Sequence, residues 1–220
     1  MTMNKFLANN SLSLSFALLF VLAMGGQLYF GYAKYIKEIE ELGAKPESLG
    51  NYLQSGHFLQ ATFEDWESEF LQMALFVVLT ISLQQKGSSE SKDFDRTEEV
   101  DREPDPNRKD APWPVKKGGL ILKLYKHSLT IVLVLLFLAS FVAHFYGSLK
   151  DENLQLALRK MPQETAGKYI SDSRFWFESF QNWQSEFLSI FAIIILSIFL
   201  RQKGSSQSKP ADAPNSETGE

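Results

Sequence analysis

Phe63-Glu64-Asp65-Trp66-Glu67-Ser68-Glu69-Phe70-Leu71 is the stretch that decides the fold, because it returns as Phe180-Gln181-Asn182-Trp183-Gln184-Ser185-Glu186-Phe187-Leu188. The two copies are offset by 117 residues (from 66 to 183). The same offset relates Gln85-Lys86-Gly87-Ser88-Ser89 to Gln202-Lys203-Gly204-Ser205-Ser206. A constant offset over separate motifs indicates a tandem duplication.

Each copy contains two apolar runs. Residues 11–33 and 128–147 carry no Asp, Glu, Lys or Arg, and each is long enough for a helix that crosses a hydrocarbon core of ~30 Å. The second run of each copy, 70–83 and 187–200, is short. It becomes long enough if the helix begins at the preceding tryptophan, with the indole at the interface. The sequence therefore predicts an all-α membrane protein with four spans, at about 11–33, 66–84, 128–147 and 183–201.

Polar segments separate and follow the apolar runs. We predict a first transmembrane hairpin over 1–86, a linker over 87–115, a second hairpin over 116–203 and a tail over 204–220. The linker and the tail are rich in charged residues, Ser and Pro. Segments of that composition bury too little apolar surface to offset the entropy of ordering. Both are predicted to be disordered and cytoplasmic, beside a four-helix bundle.

Lys and Arg counts predict the orientation. An even number of spans puts both termini and the linker on one side, which then carries 14 Lys and Arg against 8 in the hairpin loops. The positive-inside rule places the richer side in the cytoplasm of a multi-pass protein of the cell inner membrane. A cleaved signal peptide is the alternative for the N-terminal run. The internal copy that begins at His127 argues for an anchor instead.

Composition and motifs indicate no chemistry. The chain has no cysteine, which excludes thiol catalysis and Cys-ligated metals. There is no phosphate-binding loop, no Gly-x-Ser-x-Gly and no His-Glu-x-x-His. The three histidines show no ligand spacing, and the net charge of −4 gives no reason to expect nucleic acid. We expect no catalytic residue, metal or cofactor, and no nucleic-acid partner.

Glu69 and Glu186 are the sharpest candidate site residues. Each is predicted just inside a membrane segment, where an ionisable group is costly and by default functional. Gln27 and His144 occupy equivalent positions on the first helix of each copy, at a matching depth. Gln27–Glu69 and His144–Glu186 contacts are therefore predicted. Two interpretations stay open: the carboxylates set the depth of the helix start, or the four residues form polar sites that move protons or ions.

Aromatic residues precede each glutamate at helical spacing and are predicted to lie at the membrane interface. The predicted anchors are Phe63, Trp66, Phe180 and Trp183. An interfacial aromatic belt is the simpler interpretation, and a ridge that docks a partner is the alternative.

Small residues mark helix contacts. Ala139, Ala143 and Gly147 recur every fourth residue, a pattern that lets membrane helices approach closely. Gly25 and Gly26 are the corresponding candidates in the first copy.

Several motifs together resemble a known family. These are Gly50-x-Tyr52-Leu53, Ser55-Gly56-His57-Phe58, the Trp-x-Ser-Glu-Phe-Leu block and Gln85-Lys86-Gly87-Ser88-x-Glu90-Ser91-Lys92. They resemble an uncharacterised family of small bacterial membrane proteins that is known only as a domain of unknown function. The resemblance implies a bacterial multi-pass membrane protein and no activity or cofactor. The second copy has Arg174 where the first has His57.

The functional prediction is a non-catalytic membrane protein with a structural or interaction role in the envelope. Its partners would be the lipid bilayer and either a second copy of the chain or another membrane protein. The alternative is a small proton- or ion-coupled channel or transporter that uses Glu69 and Glu186 with Gln27 and His144. A membrane enzyme is the least favoured class.

Overall fold

The computed structural model describes residues 3–93, 95 and 97–219, and within these the regular structure is entirely helical. A short 3-10 helix, Glu99–Asp101, lies in the linker. In chain order the α-helices are α1 (Met3–Asn9), α2 (Ser11–Glu41), α3 (Leu49–Tyr52), α4 (Gly56–Leu79), α5 (Trp113–Lys117), α6 (Gly119–Lys126), α7 (Ser128–Leu158), α8 (Ala166–Tyr169) and α9 (Ser173–Phe199).

The helix boundaries repeat with the offset found in the sequence. Helix α7 begins and ends 117 residues after α2, and α8 begins and ends 117 residues after α3. Helix α9 begins 117 residues after α4 and runs three residues further. Each copy is therefore built as a long helix, one short helical turn and a second long helix.

Three helices are long and apolar enough to cross a membrane, judged by length and composition: α2, α7 and α9. This indicates a membrane protein. Helix α4 has 24 residues. Any stretch of it that is long enough to cross a membrane contains four carboxylates: Glu64, Asp65, Glu67 and Glu69. The predicted four-span bundle is therefore supported for three spans, and the fourth stays a prediction.

The chain forms two compact units. Unit 1 comprises Met1–Thr62 and Ala143–Asp172, and unit 2 comprises Phe63–Val142 and Ser173–Glu220. Helices α4 and α7 contribute residues to both units.

The core of unit 1 lies beyond the apolar run of α2. Tyr35, Ile39 and Tyr52 are buried together. The rings of Tyr35 and Tyr52 lie 5.2 Å apart, and His57 at the start of α4 lies 5.6 Å from Tyr35. Burial of this aromatic cluster gives the loop between α2 and α4 a fixed structure.

Helices α4 and α7 approach closely in unit 1. A Cβ added at Gly147 would lie 2.6 Å from the amide nitrogen of Gln60 and 2.8 Å from Cβ of Leu59. One added at Gly56 would collide with the backbone of Asp151 and lie 2.6 Å from the carbonyl of Gly147. Glycine is required where helix backbones pack this tightly, so the predicted small-residue contact is confirmed at Gly147.

Local hydrogen bonds occur in the linker and the tail, whose disorder stays a prediction. The Gln-Lys-Gly-Ser-Ser turn forms twice: the amide of Gln85 donates to Ser91 Oγ (2.9 Å), and that of Gln202 to Ser208 Oγ (2.8 Å). Lys209 is buried, and its ammonium donates to the carbonyl oxygens of Gly87 (2.6 Å) and Glu217 (2.7 Å). Residues 94, 96 and 220 of these segments lie outside the described residues.

Candidate functional site: carboxyl groups on α4 and α9

Glu69 on α4 and Glu186 on α9 lie together in unit 2. The carboxyl groups of Glu186 and Glu69 are close enough to interact electrostatically. The two residues occupy the same place in the repeated motif, so α4 and α9 meet at matching positions.

A third carboxylate, Glu67, also connects α4 to α9. It is fully buried, and its Oε1 accepts a hydrogen bond of 2.8 Å from Nε1 of Trp183. A buried carboxylate without a donor would be costly, so this indole has a structural role. Its place at the membrane interface stays a prediction.

The two copies differ in acidity around this site. Glu64, Asp65 and Glu67 of α4 are replaced in α9 by their amide counterparts, Gln181, Asn182 and Gln184. Glutamate is kept in both copies at positions 69 and 186. The side chains therefore have similar shapes in the two copies. The negative charge lies mainly on α4, and Glu186 is the one carboxylate of the matching stretch on α9.

The other two predicted site residues belong to unit 1. The Gln27 amide donates to the carbonyl oxygen of Ala61 at 2.8 Å, which fastens α2 to the first turns of α4. His144 is fully buried on α7. Because Glu69 and Glu186 belong to unit 2, the Gln27–Glu69 and His144–Glu186 contacts stay predictions.

The predicted aromatic anchors form the same pair in each copy. The rings of Phe63 and Trp66 meet edge to face at 5.2 Å, and those of Phe180 and Trp183 do so at 5.2 Å. Each pair lies one turn before the corresponding glutamate. The repeat therefore preserves side-chain packing at the site as well as sequence.

Comparison with known proteins places the chain in a family without an assigned activity. A family model described as "Domain of unknown function (DUF6766)" matches residues 3–220. The chain belongs to this family. No curated protein and no solved structure matches it.

Within this DUF6766 chain, the sequence predicts Glu69 and Glu186 as candidate site residues and does not single out Glu67. Its side chain is set apart only by the fold, which buries it and supplies the indole of Trp183. One feature of the sequence pointed to these positions: three carboxylates of the first copy are replaced in the second by amides of the same shape. This exchange indicates that the shape of the side chain matters more there than its charge.

Proposed function

We propose that the chain is a non-catalytic, four-span protein of the bacterial inner membrane that acts by associating with a second copy of itself or with another membrane protein. Its termini and linker lie in the cytoplasm. In this proposal α4 is the fourth span. Trp66 lies at the membrane interface, and the carboxylates of α4 lie at the level of the lipid headgroups.

The observation that carries the proposal is an unused small-residue surface on α2. Among the described residues, nothing lies within 4 Å of a Cβ added at Gly25 or at Gly26. The apolar part of α2 is 0% buried. At Gly147, in contrast, the corresponding space is occupied by α4 of the same chain. Small residues let membrane helices associate, so Gly25 and Gly26 leave room for a helix from elsewhere.

The native mass of the protein, extracted in mild detergent, tests this proposal. We expect a homo-oligomer or a stoichiometric complex with another membrane protein. Gly25→Leu combined with Gly26→Leu should dissociate it, because the added side chains prevent close approach. Ser13→Leu adds the same side chain on another face of α2 and should leave the mass unchanged.

Two results would contradict the association. One is a wild-type protein that runs as an isolated monomer. The other is a glycine double variant that keeps the wild-type mass.

A proton- or ion-coupled channel or transporter is the second candidate function. The specific observation in its favour is that the carboxyl groups of Glu69 and Glu186 interact electrostatically within unit 2, since carboxyl groups inside membrane segments serve as proton relays. Gln27 and His144 would complete the polar sites.

Proton flux into liposomes tests the second candidate. The wild-type protein should conduct protons, and Glu69→Gln with Glu186→Gln should abolish the flux because an amide cannot take up or release a proton. Glu40→Gln with Glu41→Gln changes two carboxylates beyond the apolar run and is the matched control. A wild-type protein without flux, or a site double variant with unchanged flux, would exclude this function.

A further inference from the structure

We propose that unit 2 binds one glycerophospholipid with a primary-amine headgroup. One acyl chain would lie in an apolar groove between α4 and α9, and the zwitterionic headgroup would lie in the adjoining polar pocket. The inference goes beyond the proposed function and rests on its placement of α4 and α7 as membrane spans.

The groove has the character of an acyl-chain site. It encloses about 530 Å³. Its walls are mainly aliphatic and aromatic, with Leu75 and Leu79 on α4 and Phe187, Phe191 and Ile194 on α9. Several of these side chains remain exposed to the surroundings of the protein, Leu79 and Phe191 among them. A groove that opens sideways between apolar helices admits a hydrocarbon chain from the bilayer.

The groove continues into a polar pocket of about 990 Å³. Phe76, Thr80, Glu90 and Ser91 line both spaces. The apolar groove and the polar pocket are therefore neighbouring parts of one site, which suits an amphipathic molecule better than a wholly apolar or wholly polar one.

The pocket lies at the depth of lipid headgroups. Lys126 and His127 line it, and they directly precede α7, whose apolar run starts at Ser128. On the other side, α4 ends at Leu79 and is followed by Thr80 and Ile81. The ends of two apolar helices therefore border the pocket, where headgroups meet the protein.

The charges of the pocket match a headgroup that carries both signs. Lys126 is paired with Glu103 at 3.0 Å, and that glutamate is 85% exposed. An exposed ion pair contributes little, so a lipid phosphate can replace Glu103 as the partner of Lys126. Glu98 and Asp101 line the same pocket, where Asp101 is paired with Lys92 at 2.8 Å and Glu98 accepts from the amide of Asp93 at 2.8 Å. A carboxylate accepts several hydrogen bonds, so both can also accept from a primary ammonium. A choline headgroup has no N–H donor, and a glycerol headgroup has no positive charge.

Native mass spectrometry of the full chain tests the proposal. The protein is incubated in mild detergent with equal amounts of phosphatidylethanolamine, phosphatidylcholine or phosphatidylglycerol of the same acyl composition. We expect one retained phosphatidylethanolamine per chain, held about tenfold better than either other lipid, as one or two charge-assisted hydrogen bonds provide. Equal retention of the three lipids, or no retention, would overturn the proposal without any variant.

Two variants locate the site. Leu79→Trp fills the groove and should reduce phosphatidylethanolamine retention about tenfold. Leu196→Trp makes the same change at the equivalent position of the second copy, outside the groove, and should retain the lipid. Lys126→Gln removes the partner of the phosphate, which all three lipids share, and should lower the retention of each. Glu98→Gln combined with Asp101→Asn should remove the preference over phosphatidylcholine. Equal retention by the two tryptophan variants would overturn the site. The oligomeric mass in the same spectra reports separately on the proposed function.

Discussion

Lys160 holds a backbone conformation for which the first copy uses a glycine. Gly43 after α2 has φ of 75°, and Lys160, its equivalent after α7, has φ of 58°. The capping hydrogen bonds also match: Ala44 donates to the carbonyl of Ile39 (3.0 Å), and Met161 to that of Leu156 (2.8 Å). The left-handed conformation is strained for a residue with a Cβ, so the second copy keeps this helix cap at a cost.

Exchanging the residues at the two caps should change stability in opposite directions. Lys160→Gly should raise the free energy of unfolding by about 0.5–1 kcal/mol, because relief of strain exceeds the added freedom of the unfolded chain. Gly43→Lys should lower it by a similar amount. Denaturant unfolding in detergent measures both. Changes of the same sign would show that strain at these caps is not the cause.

His57 is a titratable residue in the core of unit 1, outside the predicted spans. Burial raises the pKa of Tyr52 to about 12, so its phenol stays protonated, and its hydroxyl forms a hydrogen bond of 3.4 Å with His57 Nδ1. The other ring nitrogen, Nε2, lies 3.7 Å from Oε2 of Glu38. Burial lowers the pKa of His57 from 6.5, although Asp151 and Glu38 act to raise it and Lys34 acts with burial.

The lowered pKa of His57 predicts a loss of stability in acid. The unfolded chain takes up this proton more readily than the folded one. The stabilising contribution is therefore complete above the unfolded pKa of 6.5 and is lost as the pH falls through the folded value. Thermal unfolding followed from pH 8 to pH 5 should show a steeper decline for the wild type than for His57→Gln, which cannot titrate. Parallel curves would contradict the role of His57.

At the scale of elements, the sequence predicted the starts of the long first helices and the repeat that relates them. The predicted spans 11–33 and 128–147 begin where α2 and α7 begin. Helix α2 continues to Glu41 and α7 to Leu158. They extend past the apolar run because helix propensity and the tertiary contacts of unit 1 stabilise the added turns. Helix α4 ends at Leu79, short of the predicted 84, where Thr80 Oγ1 donates to the carbonyl oxygen of Phe76 at 2.8 Å.

The crossing of α4 and α7 in unit 1 depends on one glycine. Gly147→Leu should lower the free energy of unfolding by about 1–3 kcal/mol, because the new side chain meets the backbone of Gln60 and must push the helices apart. Phe30 is the equivalent residue of the first copy and is exposed, so Phe30→Leu is the matched control, with a change within about 0.5 kcal/mol. A Gly147→Leu protein as stable as the control would contradict the close contact.

For helix α4, the sequence pattern predicts a helix but does not determine whether it crosses the membrane. Its copy α9 is apolar enough to span a membrane, while α4 carries three additional carboxylates at matching positions. Each charge near the middle of a span costs about 2.5–3.5 kcal/mol, and much less near the interface. Whether α4 crosses therefore depends on the depth of residues 64–69, which the duplication alone does not determine.

At the scale of the whole molecule, the candidate site was predictable in part. Glu69 and Glu186 were identified because charge interrupts an apolar pattern at equivalent places. Their proximity was not, because the sequence repeat does not say which faces of α4 and α9 meet. The buried Glu67 and the contact of Lys209 with the carbonyl oxygen of Gly87 were missed for the same reason: both depend on contacts between residues more than 100 positions apart.

The central claim is that two tandem hairpins cross the membrane four times, with the linker and both termini in the cytoplasm. With the N-terminus in the cytoplasm, the number of spans determines the side of the linker. If α4 did not cross, the linker would lie outside and the second hairpin loop inside. A single cysteine placed in each segment distinguishes the two arrangements, and the absence of native cysteine removes any background.

The decisive measurement is labelling of Val100→Cys in the linker and Met161→Cys in the second hairpin loop, both exposed side chains, with a thiol reagent that does not cross membranes. If the chain has four spans, Met161→Cys should be labelled in cells whose outer membrane is permeabilised and whose inner membrane is intact. Val100→Cys should then be labelled only after the inner membrane is disrupted. Labelling of Val100→Cys on the intact inner membrane, with protection of Met161→Cys, would contradict the four-span account.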